Sequence, residues 1–184
     1  MFRSIFAFSL FIFMVNPVAS RDLPINWQAL PEPYASPSAR KPPLVVQRPD
    51  AAELSLPDGF SAEEYLSGFV GPRFMLQGAS GEVLVADTHA GRIYVVHDQE
   101  KRVLISELDT PYGMAFYQNW LYVAETTAVK RYKYDKQTQH IVSYGELIVD
   151  MGDLSGGHVT RTITFDPSDE WLYVSVGSRS NVAA

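Results

Sequence analysis

The chain has 184 residues and no cysteine, so neither a disulfide framework nor a thiolate metal site is available and stability must come from packing. The formal net charge is -6, and no run of basic residues is longer than two, as in Arg40-Lys41 and Lys130-Arg131. Phosphate binding needs clustered Lys and Arg, so the composition argues against a nucleic-acid partner and favours a neutral, polar substrate.

The N-terminus has the pattern of a secretory signal. Arg3 supplies one positive charge, residues 5–15 form an apolar run interrupted only by Ser9, and Val18-Ala19-Ser20 provides small residues for cleavage. The alternative is a membrane anchor, but crossing a bilayer takes about 20 apolar residues, roughly twice this run. We predict a signal peptide over residues 1–20, no membrane span after its removal, and a periplasmic or secreted protein.

Residues 21–52 are rich in proline. Proline fixes φ and removes a backbone donor, so this stretch is expected to join neither a helix interior nor a sheet. We predict an extended linker that serves as a spacer. The prolines are Pro24, Pro31, Pro33, Pro37, Pro42, Pro43 and Pro49.

From residue 53 onward, the apolar residues come in short runs of Val, Ile, Leu, Tyr and Phe. These runs are bounded by Gly, Asp, Asn and Pro, which is typical of strands separated by tight turns. They cover residues 83–86, 92–96, 120–124 and 171–176. The pattern predicts an all-β chain.

Three of these runs, at residues 83–86, 120–124 and 171–176, have similar flanking segments. This local pattern recurs after about 38 and then about 51 residues. Val85, Val123 and Val174 occupy equivalent places in it. A repeat of this size built from short strands is typical of a β-propeller blade, which buries its faces only against neighbouring blades. Closed propellers have about four to eight blades. We therefore predict a partial β-propeller of about three blades in residues 53–184, too few to close a ring.

Of the four histidines, His158 is the best candidate for chemistry. It follows Gly156-Gly157, which lets the backbone turn sharply and leaves room for a ligand, and a strand follows that would hold the imidazole in place. Histidine can take a proton from a hydroxyl at neutral pH. The residues alone favour the alternative, a histidine that only caps a strand entrance. His89, in a hairpin, is a weaker candidate for ligand contact, and His97 and His140 have the setting of solvated side chains.

Asp87 and Glu125 occupy equivalent places in two successive repeats, at the ends of the Val-Ala strands. Carboxylates aligned in this way could ring a central Ca²⁺, which prefers oxygen ligands. The alternative, which we favour, is that they bond backbone donors.

Several short elements carry a family resemblance. The most specific is Gly156-Gly157-His158-Val159-Thr160-Arg161, which leads through Phe165-Asp166-Pro167 to Leu172-Tyr173-Val174-Ser175-Val176-Gly177-Ser178 and Asn181. Earlier elements are Leu56-Pro57-Asp58-Gly59-Phe60, Gly71-Pro72-Arg73, Pro111-Tyr112-Gly113-Met114-Ala115-Phe116 and Leu121-Tyr122-Val123-Ala124-Glu125. Over roughly residues 56–181 the chain resembles the soluble pyrroloquinoline-quinone (PQQ)-dependent glucose and sorbosone dehydrogenases.

The resemblance implies a six-bladed propeller that holds PQQ with calcium at the channel mouth. It implies oxidation of a sugar, or of a related alcohol or aldehyde, with an external electron acceptor, and it makes His158 the residue that takes the hydroxyl proton. The family's cationic cofactor clamp and calcium-holding oxygens come from later blades. The main PQQ and calcium ligands are therefore expected beyond residue 184, and this chain alone is expected to be inactive. Glucose-oxidising members have an aspartate before the histidine, where this chain has Gly157, which argues against glucose itself.

Two other functions stay open at this point. One is a calcium-dependent lactonase on the same architecture, with Asp87 and Glu125 as metal ligands. The other is a non-catalytic propeller that binds glycans or proteins.

Overall fold

A computed structural model describes residues 26–29, 43–50, 52–168 and 170–179. The predicted signal peptide (1–20) lies outside the described residues, as does most of the predicted linker (21–52). Within the described ranges, the regular structure is antiparallel β-sheet with three short 3-10 turns, at Trp27–Ala29, Thr88–Ala90 and Gly152–Leu154. The all-β prediction is confirmed for this part of the chain. No helix in it is long and apolar enough to cross a membrane.

The strands form three successive sheets, here called blades 1 to 3. Blade 1 contains β1 (Pro72–Gln77), β2 (Val83–Asp87), β3 (Arg92–His97) and β4 (Glu100–Ile105), paired in that order. Blade 2 contains β5 (Met114–Tyr117), β6 (Trp120–Ala124), β7 (Ala128–Asp135), β8 (His140–Ile141) and β9 (Glu146–Asp150), with both β8 and β9 paired to β7. Blade 3, as far as it is described, is the hairpin of β10 (Arg161–Phe165) and β11 (Leu172–Val176). The first strand therefore begins at Pro72, well after residue 53.

The blades pack face to face around the alternating side chains of β6. Leu121 and Val123 point into a core shared with blade 1, whereas Tyr122 and Ala124 point into a core shared with blade 3. Successive side chains of a strand point to opposite faces, so a strand between two neighbouring sheets is apolar on both. All four of these residues are buried. The continuous apolar run at residues 120–124 is thus explained by a blade that is covered on both sides.

A buried polar contact also joins blades 1 and 2. Glu82, at the entrance to β2, is fully buried, and its Oε1 accepts a hydrogen bond from the Tyr134 hydroxyl at 2.8 Å. Its Oε2 accepts the backbone N–H of Ser80 at 2.9 Å. Both oxygens are satisfied, as a buried carboxylate requires.

The first strands of the three blades lie side by side, with β5 next to both β1 and β10. The pairing registers are Met75 with Val85, Met114 with Val123, and Ile163 with Val174. The three valines predicted to be equivalent therefore pair with the first strand of their own blade in the same way. This arrangement brings the segments that precede β1, β5 and β10 to one end of the array.

Candidate active site

The registers identify the residues that reach this end of the array. Five residues before the paired positions Met75, Met114 and Ile163 stand Val70, Asp109 and His158. Two residues beyond the paired valines stand Asp87, Glu125 and Val176. The predicted base and the two predicted carboxylates therefore belong to one structural layer, repeated from blade to blade.

Asp87 and Glu125 make the same kind of contact in their two blades: each carboxylate binds backbone N–H of the segment before the first strand. The Asp87 carboxylate is fully buried and accepts the backbone N–H groups of Gly71 at 2.6 Å and Val70 at 2.9 Å. The Glu125 carboxylate, only 2% exposed, accepts the N–H of Asp109 at 2.7 Å and pairs with Lys130 Nζ at 2.7 Å. Both oxygens of Asp87 thus accept backbone hydrogen bonds, whereas Glu125 Oε2 accepts one and Oε1 has only the ion pair with Lys130. This geometry favours the structural alternative over a calcium site.

Glu125 also affects a buried tyrosine on β7. Burial, with a further contribution from the negative charge of Glu125, raises the pKa of Tyr132 to about 12. The neutral phenol is therefore the form that the folded state favours.

In blade 3 the carboxylate position is taken by Val176, and the preceding segment is held differently. The backbone N–H of His158 donates to the carbonyl of Ser178 at 3.0 Å. The segment that carries this histidine, residues 154–160, is here called the histidine loop. It follows the 3-10 turn Gly152–Leu154 and ends where β10 begins.

The imidazole of His158 is oriented by Ser178. Its Nδ1 lies 2.8 Å from the Ser178 carbonyl oxygen and 3.2 Å from the Ser178 hydroxyl. A carbonyl oxygen can only accept, so in the neutral ring Nδ1 carries the proton and Nε2 carries the free lone pair. The side chain is exposed. His158 is therefore arranged to accept a proton at Nε2.

Two glycines make this packing possible. Gly157 has φ of +77°, and a Cβ built there would lie 2.5 Å from the Cα of Arg179. A Cβ on Gly177 would lie 2.7 Å from the Cβ of His158. The sequence predicted the first requirement as a sharp turn, but the close approach of residues 177–179 that causes it was not visible.

Sequence reasoning missed the role of Arg161, which appeared only as the last residue of a motif. In β10, Arg161 and Ile163 are buried while Thr162 and Thr164 are exposed. An arginine therefore occupies a core-facing position of the strand, and this alternation was the signal available in the sequence. Its contacts reach back into the histidine loop.

The other histidines lie apart from this arrangement. His89 is exposed in the 3-10 turn Thr88–Ala90, with its ring against Gly71. His97 and His140 are exposed on β3 and β8, as expected for solvated side chains. Among the described residues, no three His, Asp or Glu side chains come together as a metal site.

Residues 54–184 match the family model described as TrAA12-like. The chain is similar to the calcium structure of Trichoderma reesei Carbohydrate-Active Enzymes Family AA12, with 25% identity, a TM-score of 0.55, and coverage of 62% of this chain and 31% of that chain. In fold it is also similar to the holo form of the Pyranose Dehydrogenase PQQ domain from Coprinopsis cinerea, with 20% identity, a TM-score of 0.54, and coverage of 64% of this chain and 30% of that chain.

The chain thus spans about a third of the length of these solved structures. No curated protein matches it.

Proposed function

Because the chain belongs to the TrAA12-like family, we propose that it forms the leading part of an exported oxidoreductase that transfers hydride from a sugar, sugar aldehyde or related alcohol to PQQ. The similar structures, a carbohydrate-active enzyme and the PQQ domain of a pyranose dehydrogenase, support this choice of cofactor and substrate class. The signal pattern of residues 1–20 supports a location outside the cytoplasm.

The observation that carries the proposal is the contact between His158 Nδ1 and the Ser178 carbonyl. Its Nδ1 is bonded to the Ser178 carbonyl at 2.8 Å, which leaves the lone pair of Nε2 for a substrate hydroxyl. An exposed histidine without this bond would sample both tautomers and many ring orientations. The side-chain contact supports a role for His158 as a base. The alternative, a histidine that only caps the strand entrance, needs only the backbone hydrogen bond from His158 N–H to Ser178.

In the proposed reaction the substrate carbon carries a hydroxyl, as in an alcohol, a hemiacetal or a hydrated aldehyde; the carbon loses a hydride and the hydroxyl loses a proton, so that a carbonyl or carboxyl group forms. Bound PQQ would supply the hydride acceptor. His158 accepts the hydroxyl proton at Nε2. Its Nδ1–H keeps its hydrogen bond to the Ser178 carbonyl, whose dipole stabilises the positive charge that develops on the ring. Calcium is implied by the family resemblance and by the calcium structure of the similar AA12 protein.

Gly157 restricts the kind of substrate. Any side chain at this position would meet the backbone of Arg179 and would need φ of +77°. An aspartate of the glucose-oxidising type therefore cannot be placed here without moving residues 177–179. This supports a substrate other than glucose.

The two other functions gain less support. A lactonase of the calcium-dependent kind would need Asp87 and Glu125 free to bind metal, but both carboxylates bond protein donors. A non-catalytic propeller gives no reason for the oriented imidazole of His158.

The test is the His158→Gln variant of the full-length protein, with PQQ and calcium supplied and a panel of sugars, sugar aldehydes and alcohols as substrates. Glutamine keeps the polar character of the side chain but cannot take the proton. Since a positioned base contributes about 10²–10⁴-fold to rate, kcat should fall by that factor while PQQ binding, followed by absorbance titration, stays unchanged. His140→Gln, on β8, is the matched control and should keep normal turnover. Near-normal turnover of His158→Gln on the best substrate would refute the proposal.

A further inference from the structure

A buried arginine lies directly behind the histidine loop. Arg161 is fully buried, and its guanidinium donates four hydrogen bonds, all to backbone carbonyls. Nη1 donates to His158 at 2.8 Å and Thr160 at 3.0 Å, and Nη2 donates to Leu154 at 2.6 Å. The fourth bond runs from Nε to Thr126 in blade 2, at 3.1 Å. Three of the four acceptors therefore belong to the histidine loop.

Burial of this side chain is costly unless its donors are used. In the part of the chain that the structure describes, the ion pairs involve His97, Lys130 and Arg131, so no carboxylate neutralises Arg161. An apolar side chain of similar volume would fill the same space without the desolvation penalty of a charge. The guanidinium is thus explained by what it binds, since its planar fork of five N–H groups can hold several carbonyls in fixed directions.

The equivalent positions in the other blades give a comparison within the same chain. Arg161 pairs with Val176; in blade 1 a β-bulge shifts the register, and the residue that pairs with Asp87 is Pro72, which is exposed. In blade 2, the residue two positions before the paired Met114 is Tyr112, which is half-buried. In those blades a carboxylate holds the N–H groups of the preceding segment. In blade 3 the arrangement is reversed in polarity, because a cation holds the carbonyl groups. Among the three blades, the reversal occurs in the one that carries the predicted base.

We propose that Arg161 is a positioning residue, which fixes the backbone of the histidine loop and thereby the imidazole of His158; this role rests on the function proposed above. The His158 carbonyl is held by Arg161, and its N–H and Nδ1 are held by Ser178. The bond to Thr126 ties the loop to blade 2. With both ends of the residue fixed, only small movements of Nε2 remain.

One test needs no turnover. Hydrogen exchange of the full-length protein should show the amides of Leu154, Ser155 and His158, all of which donate to carbonyls, protected to a degree comparable with β10. In Arg161→Lys, which keeps the charge but loses the planar fork, these amides should exchange faster while blade 1 stays unchanged. Arg131→Lys is the control, because Arg131 lies on β7 and binds Glu146. Fast exchange of the three amides in the unsubstituted protein would overturn the inference without any variant.

A second test separates positioning from general stability. A misplacement of about 1 Å can cost about 10²-fold in rate, so Arg161→Lys should lower kcat by about that factor with little change in KM. In the His158→Gln background the same substitution should have no further effect on kcat, because there is no base left to position. An equal loss in both backgrounds, or no loss in either, would overturn the inference. If no variant or substrate gives turnover, the proposed function fails, and the exchange test still decides whether Arg161 holds the loop.

Discussion

The histidine loop offers a sharp test through a single methyl group. Gly157→Ala would place a Cβ at φ of +77° and 2.5 Å from the Cα of Arg179. The left-handed conformation costs an L residue about 1–2 kcal/mol. Overpacking against backbone adds about 1–3 kcal/mol. The total of about 2–5 kcal/mol is large for an exposed loop, so we expect the loop and residues 177–179 to move apart.

That movement acts on the base. Residues 177–179 include Ser178, whose carbonyl holds both the N–H and the Nδ1 of His158. A separation of about 1 Å there should lower kcat by about 10²-fold in the full-length enzyme. Steady-state kinetics on the best substrate, together with a PQQ titration, is the assay. The titration should be unchanged.

Two further glycines serve as controls for Gly157→Ala. Gly81 has φ of +87° with no atom within 4 Å of a built Cβ, so Gly81→Ala carries the backbone strain without the clash. Gly156→Ala places its methyl 3.5 Å from the Arg179 side chain, an ordinary contact, and should be tolerated. If Gly157→Ala turned over within about twofold of Gly156→Ala, the account of how residues 177–179 hold the base would be wrong.

Two predictions concern the carboxylate layer and its surroundings. Glu125→Gln should lower the free energy of unfolding by about 1–3 kcal/mol, because the ion pair with Lys130 is lost. The loss should be the same with and without calcium. A calcium-dependent difference in thermal unfolding would instead indicate that Glu125 is a metal ligand. The pKa of Tyr132 is raised from 10.0 to about 12, so the neutral phenol stabilises the fold fully below pH 10 and this contribution is lost as pH rises through about 12. In Tyr132→Phe the thermal midpoint should therefore fall less steeply over that pH range. An unchanged fall would contradict the assignment.

The sequence predicted the strands of the three blades well where they are apolar on both faces. The predicted runs 83–86, 92–96 and 120–124 correspond to β2, β3 and β6. These strands lie inside the stack, so burial alone dictates their composition. The resemblance to PQQ-dependent dehydrogenases is confirmed by the TrAA12-like match, and the partial propeller by the similar solved structures.

The outer strands and the site contacts were less accessible. β8 has only two residues, and β9 is largely exposed although it contains the apolar run 147–149. The repeat predicted that Asp87 and Glu125 occupy equivalent positions. It did not predict their backbone partners, because Val70 lies 17 residues from Asp87 and Asp109 lies 16 residues from Glu125 in the sequence. Which backbone donors a carboxylate meets depends on register, and register depends on how the blades pack. The role of His158 as base stays a prediction.

The hydrogen bond between Glu82 and Tyr134 has a consequence for how the chain acquires its structure during synthesis. The two residues are 52 positions apart, and the second lies near the end of β7. Until β7 has left the ribosome, the carboxylate of Glu82 cannot accept the hydrogen bond from the Tyr134 hydroxyl. Closing blade 1 over Glu82 before then would bury a charge without that partner. Contacts that span such a distance form slowly, because loop entropy is lost before they form. We therefore expect the first two blades to cross a single kinetic barrier together, and the hairpin of β1 and β2 to stay accessible to proteases until β7 is made.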